Sequence, residues 1–257
     1  MTKELLDAAI EIARIGGEHT LNYFKKDIHI ISKDDDTPVT IADRETEQIL
    51  RKEILSRYPD HGIVGEEFGT TNEGSNVTWV LDPIDGTKSF IHGVPFYTTL
   101  IGVLMDNEPV VGIIYAPALD ELCAAGIGLG ATFNGEPCHV SETKELSEAT
   151  FLVTEIDRFR QMGQQELFQE LLDRTRLHRT WGDAYGHMMV ATGRADLMYD
   201  PELNIWDAAA LLPVVQEAGG VFSDVSGEQT IHSGNGYSTN EFLYPELKKI
   251  FEEYISE

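Results

Sequence analysis

The chain has 257 residues, 42% hydrophobic and 25% charged, a composition typical of a globular enzyme rather than of a disordered or fibrous protein. Its 44 acidic residues against 19 Lys and Arg give a formal net charge of −25, which disfavours binding to nucleic acid or to an anionic membrane. A site for an anionic small molecule would have to reverse that sign locally, as a bound divalent cation does.

The overall organisation of the chain is simple. Charges interrupt the first helix and no apolar run reaches roughly 20 residues, so the sequence predicts neither a signal peptide nor a membrane span. Cys123 and Cys138 stand apart from any metal-binding pattern and are expected to be core thiols in a reducing cytoplasm. The lack of repeats and linkers favours a single domain, 1–257, with an N-terminal half of about 1–140 and a C-terminal half of about 141–257.

Two amphipathic helices are predicted to open the chain. The first runs from about Lys3 to Lys25, where apolar residues recur at helical spacing. The second begins near Thr40, where the letters TIAD indicate a capping box in which Asp43 is the acid at the third helical position.

The middle of the chain has the shorter period of β-strands. GIVGEE and VTWVLD predict two strands, and TTLIGVLMDNEPVVGIIYAP predicts two more, joined by a turn at Asp106-Asn107. GIGLG indicates a glycine-rich hairpin rather than a dinucleotide loop, because no helix pattern follows it. GATFNGEPC adds a hairpin at Asn134-Gly135.

From about Ser141 the pattern alternates between strands and helices. ATFLVTE, ADLMYD and GVFSDVSG predict strands. QQELFQELLDRTR, DAYGHMMVATGR and WDAAALLPVVQEAGG predict helices, the last ended by Gly219. The sequence therefore predicts a mixed α/β architecture.

The segment WVLDPIDGTKSF places two aspartates around a proline at the end of a strand. Pro83 fixes its own backbone angle and Gly86 permits a tight turn, so Asp82, Asp85 and the Ile84 carbonyl can converge on one point. Hard oxygen ligands in that arrangement suit Mg²⁺. Taken alone, the segment is equally typical of a turn with solvated aspartates.

Two further acidic motifs favour the metal site. GEE, at 65–67, closes the preceding strand, and Asp207 in WD opens a helix; each alone is unremarkable. Acids at the ends of several β and βα elements can meet at one edge of the sheets and hold two metal ions roughly 4 Å apart.

The motifs GEE, DPIDGT and WDAAA, in this order and at these separations, resemble those of the inositol monophosphatase superfamily of Mg²⁺-dependent, Li⁺-sensitive phosphomonoesterases. The resemblance extends over nearly the whole chain, to EAGG near Gly219. It implies an α/β (α+β) fold, a layered αβαβα sandwich of the inositol monophosphatase and fructose bisphosphatase type. It also implies a cytoplasmic homodimer that acts on a small phosphorylated metabolite with two or three Mg²⁺ ions in each site.

The resemblance also assigns roles to residues. It implies catalytic roles for Asp43, Glu66 and Thr87, in which Thr87 and Asp43 orient and deprotonate a metal-bound water for in-line attack on phosphorus. The phosphate would contact the backbone amides of Gly86 and Thr87 at the start of a short helix. The implied metal ligands are Glu66, Asp82, the Ile84 carbonyl, Asp85 and Asp207.

One loop departs from the family pattern. Where the family often has an aspartate before LVT, this chain has DDDTPVT, with Thr37 at the matching place and Asp36 one residue earlier. Lys33 could approach the metal and its water, or the whole loop could be a solvated charged segment. The sequence of this loop leaves the role of any third, weaker metal ion open.

Within the superfamily the second half is more similar to the histidinol-phosphate phosphatase branch. DGTKSFIHGVP and TWGDAYGHMMVATGRADLMYDP carry this likeness, whereas the inositol branch usually has a second Thr after DGT, GSAA in place of GDAY and a glutamate at Asp200. DELCAAG argues against it, since it lacks the expected basic and aromatic residues. The likeness implies hydrolysis of L-histidinol phosphate to L-histidinol in histidine biosynthesis.

The resemblance places Asp183 and Asp200 at the organic part of the substrate. The alternatives are a helix N-cap for Asp183 and a solvated strand end for Asp200. His187 could face the substrate, although packing in the core is the more ordinary role for such a residue.

Other functions remain as alternatives. An inositol-1-monophosphatase, or a phosphatase of related sugar or nucleotide phosphates, has the same metal motifs. A glycoside hydrolase would use paired carboxylates but gives Gly86 and Thr87 no role. A non-enzymatic metal-binding protein is disfavoured because Thr87 and Asp43 are both present.

Overall fold

The helices and strands are those of a computed structural model that describes residues 1–26, 30–32 and 38–255. Lys33, Asp36 and Thr37 of the departing loop lie outside the described residues. A short 3₁₀ helix spans Leu146–Glu148. The α-helices of the described part are α1 (Thr2–Thr20), α2 (Ile41–Arg57), α3 (Thr87–Ile91), α4 (Ile156–Gln161), α5 (Gln165–Arg174), α6 (Asp183–Ala191), α7 (Ile205–Glu217) and α8 (Tyr244–Ile255).

The larger sheet has eight strands. They are β3 (Gly62–Gly65), β4 (Gly69–Thr71), β5 (Val77–Asp85), β6 (Thr98–Met105), β7 (Glu108–Ala116), β8 (Glu121–Gly126), β9 (Gly130–Phe133) and β10 (Glu136–Pro137). Their order across the sheet is β10-β9-β8-β7-β6-β5-β3-β4. Neighbours are antiparallel except β3 and β5, which run parallel.

The smaller sheet and a two-stranded ribbon complete the strands of the described part. The ribbon pairs β1 (Ile30–Ser32) with β2 (Pro38–Thr40). The smaller sheet contains β11 (Thr150–Leu152), β12 (Leu177–Arg179), β13 (Leu197–Asp200), β14 (Gly220–Ser223) and β15 (Gly236–Asn240). Its order is β12-β11-β13-β15-β14, with β11 parallel to both neighbours and β15 antiparallel to both.

Strands β5 and β6 of the larger sheet are covered on both of their faces. Alternate residues point to opposite faces of a strand. Accordingly Trp79 and Ile101 belong to the apolar cluster under α1 and α2, whereas Val80 and Leu100 belong to the cluster under α6 and α7. This two-sided burial explains the nearly continuous apolar run before Asp82.

Helix α7 packs tightly against the larger sheet because two strand positions lack side chains. A Cβ at Gly102 would lie 2.6 Å from Ala209 Cβ, and one at Gly112 would lie 2.1 Å from the Ala210 carbonyl oxygen. The same cluster continues to Met198 in β13 of the smaller sheet, so α6 and α7 lie between the two sheets.

The outer face of the smaller sheet is covered by α5 and α8, which pack through Leu171 and Phe251 onto Phe151 and Tyr237. The layers are therefore helix, sheet, helix, sheet and helix, which confirms the predicted αβαβα sandwich. None of the helices in the described part is long and apolar enough to cross a membrane.

Most predicted elements are present, and the largest error of length is in the first helix. The first helix, predicted to reach Lys25, ends at Thr20, because i to i+3 hydrogen bonds such as Tyr23 N to Thr20 O replace the α-helical ladder. Both predicted tight turns are confirmed: Asp106-Asn107 and Asn134-Gly135 have positive φ at both positions.

Candidate active site

A β-bulge brings Asp82 and Asp85 to the same side of β5. In a regular strand, residues three positions apart point to opposite faces. Here Asp82 pairs with Leu100 and Asp85 pairs with Thr98, so three steps along β5 face two along β6. The extra residue re-aims the second carboxylate. Asp82 Oδ1 also accepts a hydrogen bond from Ile84 N at 3.0 Å, and Asp85 Oδ2 accepts one from Thr98 Oγ1 at 3.0 Å.

Glu66 reaches the same place from the neighbouring strand. Gly65, the last residue of β3, pairs with Leu81 of β5, and Glu66 N donates to the Leu81 carbonyl oxygen at 3.2 Å. Because β3 and β5 run parallel, the residues that follow this pair, Glu66 and Asp82, are neighbours. The negative charge of Glu66 is one of the causes that raise the pKa of Asp82, after burial.

The loop after β3 is held by Glu47, a fully buried residue of α2. Its Oε2 accepts a hydrogen bond from Glu67 N at 2.7 Å, and its Oε1 accepts one from Phe68 N at 3.2 Å. Arg51 Nε pairs with Oε1 at 2.7 Å and supplies the opposite charge. The carboxylate thereby fixes the path of the backbone that carries the neighbouring glutamate, Glu66.

Asp207 enters from the first turn of α7. Asn204 N donates to its Oδ2 at 2.7 Å, which is one half of a capping box. One carboxylate oxygen from each of Asp82, Asp85 and Asp207 lies within 4.8 Å of the others. Elements distant in sequence therefore converge as the motifs predicted.

Asp43 and Thr87 form a second group beside the carboxylates. Thr87 Oγ1 lies 3.3 Å from Asp43 Oδ1 and 3.0 Å from the Ile84 carbonyl oxygen. Asp43 Oδ2 accepts hydrogen bonds from Thr40 N at 2.8 Å and from Thr40 Oγ1 at 2.5 Å, which confirms the predicted capping box. One oxygen of Asp43 is thus fixed by the helix cap, and the other is directed to Thr87.

Gly86 is the N-cap of the short helix α3. Its φ of +80° lies in the left-handed region that favours glycine. A Cβ at this position would also lie 2.9 Å from Asp183 Oδ2. Glycine at this position therefore permits the left-handed turn before α3 and leaves room for the Asp183 carboxylate.

Asp183 is the first residue of α6 and lies against the acidic group. The N-cap is Gly182, so the alternative that made Asp183 itself the cap is wrong by one residue. Asp183 has a φ of +54°, and its N donates to Thr154 Oγ1 at 2.7 Å. The next amide, Ala184 N, donates to Asp85 Oδ2 at 2.7 Å, so the start of α6 contacts a predicted metal ligand directly.

Asp200 ends β13 and is 5% exposed, so the alternative of a solvated strand end is wrong. Its Oδ2 lies 3.2 Å from Nε2 of His187, which is fully buried and hence packed rather than exposed to a substrate. The negative charge of Asp200 contributes to the raised pKa of Asp183 and of Asp207. Asp200 therefore lies close to both of these carboxylates.

The sequence profile described as "Inositol monophosphatase family" matches residues 1–256. The chain belongs to this family. Among the relatives, a histidinol-phosphatase of Chlorobaculum parvum is 43% identical over 90% of both chains. An inositol monophosphatase 1 of Mus musculus is 34% identical over 88% of this chain and 85% of the relative.

The fold agrees with this membership. The structure is similar to that of an IMPase of Thermotoga maritima, with a TM-score of 0.90 and 31% identity over 98% of each chain. The family and its relatives are phosphatases, so the predicted class of enzyme, a hydrolase of phosphoric monoesters, is confirmed.

Burial and mutual repulsion raise the pKa values of the acids in this site. Burial is the largest cause for each, and it raises the pKa of Asp43 to about 6 and those of Asp183 and Asp207 to about 7. The pKa values of Asp82 and Asp85 are also raised well above normal, by burial and then by neighbouring carboxylates. Such an excess of confined negative charge favours a bound cation.

The donor set fits a hard divalent cation. Carboxylate and carbonyl oxygens are the ligands that Mg²⁺ prefers. Oxygens of Asp82, Asp85 and Asp207 that are up to 4.8 Å apart leave space for cations between them. The family is metal-dependent, and in this chain the acidic group of Asp82, Asp85 and Asp207 can hold a metal ion.

The acids of this site were recognised in the sequence, whereas the residues that hydrogen-bond to them or to their loops were not. Glu47, Thr98 and Thr154 bond to the loop or to the acids, yet none was singled out. Glu47 had a signal, since it follows Asp43 by four residues and so shares its face of α2. The two threonines carried none, because their contacts depend on strand register and on packing between the halves of the chain.

Proposed function

We propose that this enzyme is a Mg²⁺-dependent phosphomonoesterase that hydrolyses L-histidinol phosphate to L-histidinol. The observation that carries the proposal is a pair of carboxylates, Asp183 and Asp200, beside the acids of the metal motifs. The 43% identity to a histidinol-phosphatase supports the same substrate.

We assign metal binding to Glu66, Asp82, the Ile84 carbonyl, Asp85 and Asp207, with two or three Mg²⁺ ions. Bound Mg²⁺ would supply a water of lowered pKa and would neutralise charge on the phosphate and on the leaving alkoxide. The chain itself orients these donors through the β-bulge, the capping box of α7 and the buried Glu47.

Thr87 and Asp43 offer a route for the proton of the attacking water. The Thr87 hydroxyl is within hydrogen-bond distance of Asp43 Oδ1, so its oxygen can accept a proton from water while its own proton moves to Asp43. Burial raises the pKa of Asp43 to about 6, which makes it a stronger base than an ordinary aspartate yet still ionised near neutral pH. Glu66, beside Asp82, would assist by orienting the same water.

The phosphate is assigned to the backbone amides of Gly86 and Thr87. These amides stand at the start of α3, where N–H groups lack helical partners and attract anions. The side chain of Thr87 is occupied by Asp43 and by the Ile84 carbonyl, so its amide, rather than its hydroxyl, is the group offered to phosphate.

The organic part of the substrate then lies toward Asp183 and Asp200. Histidinol phosphate carries an ammonium group and an imidazole that is partly protonated near neutral pH, and both suit an acidic subsite. Inositol phosphate offers only neutral hydroxyls beyond its phosphate. The charge of Lys88 offsets part of the rise in the pKa of Asp183, but Lys88 is already paired with Glu155 and leaves the subsite acidic.

A substrate panel tests the proposal. Phosphate release from L-histidinol phosphate, inositol monophosphate, fructose bisphosphate and adenosine bisphosphate is measured with and without Mg²⁺. The highest kcat/KM is expected for histidinol phosphate, and only with Mg²⁺. A preference for inositol phosphate would instead favour the second candidate, to which the 34% identical mouse relative corresponds.

We further propose that the chain is one domain, because α6 and α7 pack onto both sheets. A single cooperative unfolding transition, seen alike by near- and far-UV circular dichroism, is expected. The homodimer and the cytoplasmic location stay predictions. Light scattering on the purified protein tests the first, and microscopy of a tagged copy in its host tests the second.

A further inference from the structure

Three buried polar side chains form a continuous line from the smaller sheet to the acidic site. His187 of α6 has Nδ1 2.6 Å from Ser238 Oγ and Nε2 3.2 Å from Asp200 Oδ2. His187 and Ser238 are fully buried, and Asp200 is 5% exposed. Asp200 and Ser238 lie on adjacent antiparallel strands, with Asp200 opposite Gly236.

The direction of these hydrogen bonds follows from their chemistry. An ionised carboxylate can only accept, so Nε2 of His187 donates to Asp200. With a neutral ring, Nδ1 is then an acceptor, and the Ser238 hydroxyl donates to it. Ser238 thereby fixes the ring orientation and the tautomer that makes His187 a donor to Asp200.

Asp200 depends on this line for its partner. A buried carboxylate is costly unless a hydrogen bond or an opposite charge compensates it. Among the described residues, His187 is the side chain that bonds to Asp200, through Oδ2, and Oδ1 has no hydrogen-bond partner in that part of the chain. The line therefore holds one oxygen and leaves the other for a ligand.

We propose that His187 and Ser238 are positioning residues that hold the Asp200 carboxylate in a fixed orientation, so that the site selects phosphomonoesters with a cationic organic part. The proposal rests on the hydrolysis of L-histidinol phosphate proposed above. It explains how the site would prefer that substrate to a neutral phosphate ester. His187 itself does not touch the substrate, since it is fully buried.

Two substitutions at His187 separate positioning from packing. The amide nitrogen of Gln reaches about as far as Nε2 of His, whereas that of Asn reaches only about as far as Nδ1. His187→Asn therefore removes the donor to Asp200, and His187→Gln can retain it. Kinetics are measured with Mg²⁺ on L-histidinol phosphate and on glycerol 2-phosphate, a neutral polyol ester.

For His187→Asn, kcat/KM on histidinol phosphate is expected to fall about tenfold or more, mainly through KM, because a charge-assisted contact is weakened. The loss on glycerol 2-phosphate should stay within about threefold, as expected where no such contact is made. His187→Gln should recover much of the difference, and Ser238→Ala should show a smaller loss in the same direction.

Equal losses on both substrates in His187→Asn and Ser238→Ala would overturn the proposal and leave His187 a packing residue. Unchanged kinetics on histidinol phosphate would also overturn it. If His187→Asn does not fold, Ser238→Ala decides by the same comparison of substrates. Failure of the proposed function looks different, because the wild type itself would then show no preference for L-histidinol phosphate over the neutral ester.

Discussion

The Glu47 carboxylate fills the space beside Gly65 where a side chain would otherwise stand: a Cβ on Gly65 would lie 2.1 Å from Glu47 Oε1. Glycine at the end of β3 thus allows a buried acid of α2 to bond the loop that follows. This contact ties a helix of the outer layer to the strand end that carries Glu66.

Glu47→Gln is expected to destabilise the protein by about 3 kcal/mol, since it breaks a buried ion pair with Arg51 and leaves that guanidinium without its partner charge. The apparent affinity for Mg²⁺ should fall as well, because the loop that carries Glu66 loses its anchor. Urea unfolding and Mg²⁺ titration of activity measure the two effects. Glu11→Gln, which breaks an exposed pair with Arg57, is the control and should cost under about 1 kcal/mol.

Asp82→Asn is expected to lower kcat by ~10³ or more, because metal-activated water supplies most of the catalysis. Without metal, the same substitution should raise the melting temperature, since it removes one of several repelling, buried carboxylates. Turnover with Mg²⁺ and thermal melts in EDTA are the measurements. Asp106→Asn in an exposed turn should change neither, and near-normal turnover in Asp82→Asn would show that the metal assignment is wrong.

Without metal, stability is expected to fall as pH rises through about 6 to 7. Burial raises the pKa of Asp43 to about 6 and those of Asp183 and Asp207 to about 7, above the value of roughly 3.9 for aspartate in an unfolded chain. The folded protein therefore holds protons that the unfolded chain releases. The stabilisation that comes from these protons is complete below the pKa of the unfolded chain and is lost as pH rises through the pKa values of the folded protein.

Thermal melts in EDTA between pH 5 and 8 measure this slope. Millimolar Mg²⁺ should raise the melting temperature most at the high end, where the carboxylates must ionise to bind it. Asp207→Asn should flatten the slope, whereas Glu108→Gln on an exposed strand end should leave it unchanged. A melting temperature indifferent to Mg²⁺ under conditions of full activity would contradict the metal site.

The sequence was sufficient to predict which acids form the site but not how they are arranged. Asp82 and Asp85 were recognisable from Pro83 and Gly86, yet the bulge that aligns them depends on pairing with Thr98 and Leu100, which local sequence does not encode. Asp43 was found because a capping box is local.

Of two other errors, one has the same cause and one does not. Asp200 could be mistaken for a solvated strand end because His187 and Ser238 approach it from elements that become neighbours only in the folded chain. Helix α8 was missed although its apolar residues Leu247, Ile250 and Phe251 recur at helical spacing, so here the signal was present and unused.

The last prediction concerns Asp200 and the charge of the substrate. Asp200→Asn replaces the carboxylate by a neutral amide of the same shape whose oxygen can still accept from His187 Nε2, so the fold should persist. A hydrogen bond to a charged group contributes about 1.5 to 3 kcal/mol, so kcat/KM on histidinol phosphate should fall about tenfold or more. Inositol phosphate, which brings no cation, should be affected little. Kinetics on both esters, with the melting temperature as a control for folding, measure the difference. Equal losses on both esters would remove the charge argument and, with it, the main physical reason to favour histidinol phosphate over inositol phosphate.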